Sequence, residues 1–247
     1  MHSKDQYKTV QYKNIKVYFL LSLHGGGMDF RQDFIKEVKE RFGKVDSLCE
    51  FACGPGFIGF SLLAHGLCKK LCLIDVNPQA IECCKKTIKS NGLGRMVNTY
   101  TSDVLKNIPK NEKWDLVVSN PPMFNGTQEA YKKDIIGIDP GWRIHKAFYK
   151  DVSRHLNKNG AVLFVESLTG SDQNLWKKMI NSSRLKYIEA YQQKQSVFKL
   201  LKRAVKIIFA IRLNDIKSNF KVYKQYKDIK YLTIKLYSSY FVLFKKV

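Results

Sequence analysis

Short apolar runs, each closed by an acidic or polar residue, alternate with stretches of helical period through the centre of the chain. Leu48-Cys49-Glu50-Phe51-Ala52 runs into the turn Cys53-Gly54-Pro55-Gly56, and Phe57 to His65 then reads as a helix closed by Gly66. Leu71 to Asp75 is a second strand, and Pro78 opens a helix that runs to Ser90 and stops at Asn91-Gly92. Val97 to Tyr100 and Trp114 to Ser119 are a third and a fourth strand. A helix from about Arg143 to Leu156 ends at Asn159-Gly160, ahead of a fifth strand from Ala161 to Val165. Strands that are apolar on both faces and separated by helices require a parallel sheet covered on both sides. The expected class is α/β, doubly wound.

The flanks depart from this rhythm. A strand from Val17 to Leu21 precedes His24-Gly25-Gly26-Gly27 and a helix from about Phe30 to Arg41, so residues 1–43 read as a lead-in to a domain over 44–247. Near the other end, Lys186 to Tyr191 and Tyr231 to Phe244 read as strands. Between them, at about 194–228, lies a helical insertion in which Val197, Leu200, Leu201, Ala204, Val205, Ile208 and Ile211 recur at spacings of three and four. That insertion is basic as well as amphipathic. Of the formal net charge of +22, residues 184–247 carry +13. This concentration predicts contact with a polyanion, either a nucleic acid or an anionic lipid surface.

Apolar runs fall well short of the roughly 18 residues of a membrane span. The first residues lack the cationic-then-apolar order of a secretory signal. All six cysteines lie between Cys49 and Cys84, which is not how a disulfide framework is spread, so reduced thiols and a cytoplasmic setting are expected. Cys49/Cys53 and Cys68/Cys72 are spaced by four on strand-and-turn segments, where that spacing does not bring two thiols together, and no metal site is expected.

The turn after the first central strand carries chemistry. Glycines let a backbone approach a ligand closely, and the free amides of a helix start can donate to it. Gly54, Gly56 and Gly59 also satisfy the phosphate-binding pattern Gly-x-Gly-x-x-Gly, which admits a NAD or FAD enzyme. Asp75, at the end of the next strand, stands where a carboxylate accepts both hydroxyls of a ribose. Val117-Val118-Ser119-Asn120-Pro121-Pro122-Met123-Phe124 places Asn-Pro-Pro at the C-terminal end of the fourth strand, the end where such sheets bind ligands.

With these residues in this order, the chain resembles the class I S-adenosylmethionine-dependent methyltransferases. It is most similar to the small-methyltransferase group that includes release-factor glutamine methyltransferases and amino-directed RNA methyltransferases. The resemblance covers about Leu48 to Glu166. It implies a seven-stranded, mostly parallel Rossmann-like sheet, S-adenosyl-L-methionine as cofactor, and a lead-in that covers the cofactor site. Residue by residue, it implies that Glu50, Ala52, Gly54, Gly56, Asp75, Val76, Asp103, Val104 and Asn120 hold the cofactor, with Asp103 meeting the adenine amino group. Asn120 and Pro121 would hold the nitrogen to be methylated, their oxygens accepting its two N–H bonds and stabilising the charge that develops there.

Two departures from the family pattern bear on the substrate. Ala52 replaces the first glycine of the turn, and Met123 replaces the aromatic residue that follows Pro-Pro. Pro122, Met123 and Phe124 are expected at the acceptor, with either Met123 or Phe124 packing on a planar group. Arg143 and His145 either line the substrate mouth or belong to an ordinary helix start over a packed Trp142. Gly25-Gly26-Gly27 either covers the cofactor's methionine end or is a simple turn. The basic C-terminal quarter favours RNA as acceptor, with a small metabolite or a protein glutamine side chain as alternatives. A catalytically inactive cofactor- or RNA-binding protein is the non-enzymatic reading.

Overall fold

The computed structural model describes residues 6–23, 26–167, 170, 173–192 and 239–247. The expected basic insertion, 194–228, and the first half of the Tyr231–Phe244 strand lie outside them.

The chain begins with a hairpin, β1 (Lys8–Tyr12) and β2 (Ile15–Phe19), whose two-residue turn takes Lys13 to a φ of 50°. Helix α1 (Gly27–Arg41) follows. The alternating region is β3 (Val45–Phe51), α2 (Phe57–Ala64), β4 (Cys68–Asp75), α3 (Pro78–Asn91), β5 (Val97–Thr101) and β6 (Trp114–Ser119). Next come α4 (Gln128–Lys133), α5 (Arg143–Val152), β7 (Leu156–Ser167), α6 (Gln173–Asn181), β8 (Leu185–Tyr191) and β9 (Ser239–Lys246). The main sheet has seven strands in the order β5-β4-β3-β6-β7-β9-β8. Its first five strands are parallel, and β9 runs antiparallel between β7 and β8. The sheet is therefore mostly parallel, with a mixed edge.

The period-two alternation of the strands sorts their side chains between two cores. Leu48, Leu71, Leu73, Leu116, Val118, Leu163 and Val165 face the side covered by the hairpin, α1 and α2. Cys49, Phe51, Cys72, Val117, Val162 and Phe164 face the side covered by α5 and α6, where Phe148 and Trp176 are fully buried. Each fully buried Leu or Phe side chain contributes roughly 1.5–3 kcal/mol of transfer free energy. The lead-in belongs to the first of these cores: the Phe34 ring meets Phe241 of β9 edge-on at 5.2 Å, and Phe19 meets Phe57 at 5.1 Å. The edge of β2 is also latched to α3, because the Tyr18 N–H donates to Thr87 Oγ1 and Asn91 exchanges bonds with both Lys16 backbone groups.

Several boundaries differ from expectation for identifiable reasons. The helix expected to reach Leu156 stops at Val152, and β7 already begins at Leu156. Asn159-Gly160, expected to be a turn between helix and strand, lies inside β7 at a register shift against β6. A Cβ at Gly160 would come within 3.0 Å of the Trp114 carbonyl, so the glycine permits the irregular pairing. Strand β1 and helices α4 and α6 were not anticipated. Helix α4 buries no residue and so carries no apolar period, whereas α6 buries Trp176 and Ile180, a spacing of four that marks its inner face.

Candidate functional site

The C-terminal ends of β3, β4, β5 and β6 open into one cleft of about 920 Å³, counting its mouth. Chain direction puts it there: in a parallel sheet every strand ends on the same edge, and the loops leaving neighbouring strands diverge to form a crevice.

Glu50, near the end of β3, sits at the floor of the cleft and is 2% exposed. Its carboxylate accepts the N–H of Gly59 at 2.7 Å and of Ile58 at 3.3 Å, in the first turn of α2. Burial pushes the carboxyl up to about 8, against the pull of those two amides. Glu50 therefore braces the glycine turn from beneath. In the turn itself, Ala52, Gly54 and Gly56 all adopt positive φ, at 51°, 52° and 80°. Gly56 has a packing reason as well, since a Cβ there would lie 2.8 Å from the Phe60 ring.

Asp75 ends β4 and ties the turn from the side. Its Oδ2 accepts the Gly54 N–H at 2.7 Å, and its Oδ1 accepts that of Asn77 at 2.8 Å. Burial raises its pKa, and the amides of Asn77, Gly54 and Val76 hold it back. Asp103 follows β5. Burial would raise it, but hydrogen bonds from Lys106 and Arg143 outweigh burial and hold it below the usual carboxylate range. Arg143 reaches it at 3.0 Å from the start of α5, across the mouth of the cleft.

Asn120 leaves β6 directly after Ser119, whose hydroxyl is bonded to the Phe51 carbonyl at 2.6 Å. That bond joins the two strand ends on which the turn and the Asn-Pro-Pro segment stand.

The cleft is lined by Glu50, Ala52, Gly54, Asp75, Val76, Asp103, Val104 and Asn120, together with Pro122 and Arg143. Gly56 supports the turn without lining it. Four further expected site residues also fall outside the lining. Pro121 is buried. Met123 packs against the core shared with α1 and α2. Phe124 is drawn into a bridge with Ile138. His145 is 1% exposed and points into the second core. For His145 and Trp142 the helix-start reading describes the geometry: Trp142 is 8% exposed and packs edge-on against the His145 ring at 5.5 Å. Neither Met123 nor Phe124 is among the residues that line the cleft.

Instead, the rim is completed by Tyr131, Ile135 and Ile136, from the loop after Asn-Pro-Pro, and by Leu23 and Gly27 from the lead-in. Ile135 and Ile136 are 41% and 42% exposed. Nothing in the sequence marked them, because that loop has no period and only its short helix α4 is regular. Gly26, at φ 84°, begins α1, and Gly27 contributes to the wall; His24 and Gly25 lie outside the described residues.

This constellation fits an adenosine-containing cofactor. Two carboxylates, Asp75 and Asp103, stand at successive strand ends beside apolar Val76 and Val104, and a backbone turn with a glycine faces the cleft between them. All six thiols are buried and free, and no group of three or more His, Cys, Asp or Glu among the described residues is arranged to hold a metal ion.

The family model of the methyltransferase small domain matches residues 32–199. Ribosomal RNA small subunit methyltransferase C of Actinobacillus pleuropneumoniae serotype 7 is 38% identical over 95 residues, which are 37% of this chain and 28% of that protein. The protein of the same name from Klebsiella pneumoniae subsp. pneumoniae is 27% identical over 139 residues, 56% of this chain and 36% of the relative. The chain thus spans well under half the length of these curated relatives. Among solved structures, an O-methyltransferase of Brevibacillus brevis in complex with S-adenosyl-L-homocysteine superposes with a TM-score of 0.56 at 17% identity, covering 88% of this chain and 72% of the other. A T. Thermophilus 16S rRNA N2 methyltransferase in complex with AdoMet and guanosine gives a TM-score of 0.55 at 13% identity, covering 74% of this chain and 47% of the other. At such identities the likeness is one of fold.

Proposed function

The chain belongs to the methyltransferase small domain family, and from that premise we propose that it is an S-adenosylmethionine-dependent N-methyltransferase with RNA as its acceptor. The observation that carries this reading is the placement of Asn120 and Pro122 in the wall of the same cleft as Glu50, Asp75 and Asp103.

When bound, S-adenosylmethionine would supply the methyl group, its C–S bond breaking as the acceptor nitrogen's lone pair forms the new N–C bond, with S-adenosylhomocysteine as leaving group and the nitrogen's surplus proton passing to solvent. The residues of this chain serve to bind and align. Asp75 accepts from the ribose hydroxyls with the lone pairs left over by Gly54 and Asn77. Asp103 accepts from the adenine amino group, and Val76 and Val104 pack against the ring. An amide or aniline-type nitrogen is a poor nucleophile because its lone pair is delocalised. The Asn120 side-chain oxygen and the Pro121 carbonyl accept its N–H bonds, turning that lone pair toward the methyl group and offsetting the positive charge as it develops. The prolines hold the backbone so that these oxygens converge, and no strong base is needed. Leu23 and Gly27 support a lead-in over 1–43 that covers the methionine end. Tyr131, Ile135 and Ile136 form an apolar rim that suits a planar acceptor.

RNA is favoured over a small metabolite or a protein glutamine for two reasons. The curated relatives are named as ribosomal RNA methyltransferases, and the net charge of +22 suits a polyanion. Contact of the basic C-terminal quarter with RNA is part of the same reading, as is a cytoplasmic setting. No helix among the described residues is long and apolar enough to cross a membrane.

The test is calorimetric titration with S-adenosylhomocysteine, with NADH as control, followed by labelled-methyl uptake into RNA, peptide and metabolite pools. Micromolar binding of the first ligand alone, with label entering RNA, is the expected result. No binding of S-adenosylhomocysteine removes the proposed function, label entering only metabolites or peptides removes the RNA acceptor, and binding without uptake in any pool leaves the non-enzymatic reading.

A further inference from the structure

His145 does not reach the cleft, yet it is fastened at both ring nitrogens just behind it. The loop that leaves Asn120-Pro121-Pro122 is closed at its base: the Phe124 N–H donates to the Gly137 carbonyl at 3.0 Å, and the Asp139 N–H donates to the Phe124 carbonyl at 2.8 Å. The Asp139 carboxylate accepts the backbone N–H of Ile144 at 2.8 Å and of His145 at 3.1 Å, and it meets the ring Nδ1 at 2.7 Å. The ring Nε2 meets Glu166 Oε1 at 2.9 Å. Glu166 lies on β7 two residues beyond Phe164, the register partner of Ser119, so it stands level with the start of the acceptor segment. All three side chains are fully buried. The imidazole is stacked on Trp176 of α6 at 4.5 Å. Besides Asp139 and Glu166, the titratable groups at this cluster are Tyr149, one turn along α5, and Tyr240 of β9.

We infer that His145 is a positioning residue, which locks the base of the 124–139 loop to β7 and thereby fixes where the Asn120–Pro122 segment presents the acceptor nitrogen. Burying three ionisable groups is costly, and the aromatic shell around them would accept an apolar side chain. Directional bonds from one ring to two elements set an angle and a distance that apolar contact leaves loose. The role rests on the methyl-transfer reading, but the clamp itself does not.

The amide of asparagine reaches the place of ring Nδ1, and that of glutamine the place of Nε2. His145→Asn therefore keeps the bond to Asp139, and His145→Gln keeps only the bond to Glu166. The experiment is amide hydrogen exchange on the full chain with saturating S-adenosylhomocysteine, together with methyl-transfer kinetics. For His145→Gln, exchange at Phe124 and Asp139 is expected to rise at least ten-fold while β3 and β4 amides stay unchanged. The turnover number falls at least ten-fold, and the Kd for S-adenosylhomocysteine stays within three-fold. His145→Asn, which keeps Asp139 but loses Glu166, shows the same losses, because either variant breaks the link between the loop and β7. Glu166→Gln, which keeps the side-chain shape, gives the same pattern at three-fold or more and serves if His145→Gln does not fold. The inference is overturned if loop exchange and turnover match the wild type. It is equally overturned if β3 and β4 lose protection along with the loop, the mark of a residue that is merely structural. A wild-type chain that transfers no methyl group defeats the proposed function instead. The exchange comparison, run without ligand if none binds, still judges the clamp.

Discussion

The carboxylate of Glu50 lies 2.7 Å from the backbone nitrogen of Gly59, so one buried side chain of β3 holds the first turn of α2 under the floor of the cleft. The contact is tight on both sides. A Cβ at Gly59 would fall 2.8 Å from Glu50 Oε2 and 2.9 Å from both Leu71 and Leu73. Gly59→Ala is expected to destabilise the fold by about 1–3 kcal/mol, the usual scale for overpacking, read as a lower urea midpoint. An unchanged midpoint would show that the turn relaxes freely and that Glu50 is no brace.

In the proposed mechanism Asn120→Ala removes an acceptor for the target nitrogen and leaves the turn and both carboxylates in place. Binding of S-adenosylhomocysteine should survive while methyl transfer drops by roughly 100-fold or more, the scale seen when one transition-state partner is lost. Transfer at the wild-type rate would refute the mechanism.

Asp103 and Arg143 face each other across the mouth at 3.0 Å, both partly exposed. If Asp103 accepts from the adenine, Asp103→Ala weakens S-adenosylhomocysteine binding at least ten-fold. Arg143→Ala changes it less than three-fold, because solvent screens the pair. Equal losses in a calorimetric titration would mean that the ion pair, rather than the carboxylate, is what the ligand needs.

Two buried groups make stability depend on pH with the same sign. Burial disfavours the His145 cation, but the Glu166 charge and the bonds to Asp139 and Glu166 outweigh it and raise the pKa from 6.5 to about 9. A raised histidine stabilises fully below its unfolded value and loses that contribution as pH climbs through 9. Burial raises Glu50 from 4.5 to about 8, so the fold favours its protonated form and loses that contribution as pH climbs from about 4.5 through 8. The urea midpoint should therefore fall steadily between about pH 6 and pH 9.5, with a shallower fall in His145→Gln. A midpoint that rises over this range contradicts both assignments.

The six thiols are buried, and burial pushes Cys68 up to about 12 and Cys83 to about 11. Ellman's reagent, which needs an accessible thiolate, should find no fast-reacting thiol in the native protein and all six after denaturation. Rapid native labelling would place a cysteine at the surface.

The ends of the strands were legible because each closes a local pattern. Glu50, Asp75, Asp103 and Asn120 all follow or end apolar runs, and in a parallel sheet such ends share one edge whatever the order of the strands. That was enough to gather most of the expected cofactor residues into one cleft before any pairing was known. The antiparallel place of β9 between β7 and β8 was not legible, because strand order depends on which faces pack and not on the period within a run. The same limit governed the substrate side. Met123 and Phe124 follow Pro-Pro in sequence, but the bridge from Phe124 to Ile138 turns that stretch away and brings Tyr131, Ile135 and Ile136 to the rim. The sequence left Arg143 and His145 open between the substrate mouth and an ordinary helix start, and the structure parts them: Arg143 lines the cleft and His145 is buried. On a helix, positions two apart face different sides, and the inward side here is set by Glu166, 21 residues away. Local period and backbone sterics were enough to set the class of fold, the glycine turn and the carboxylates at the ends of its strands. Which side chains line the cleft and which pack behind it emerged from the folded chain alone, because those contacts join residues that no local pattern relates.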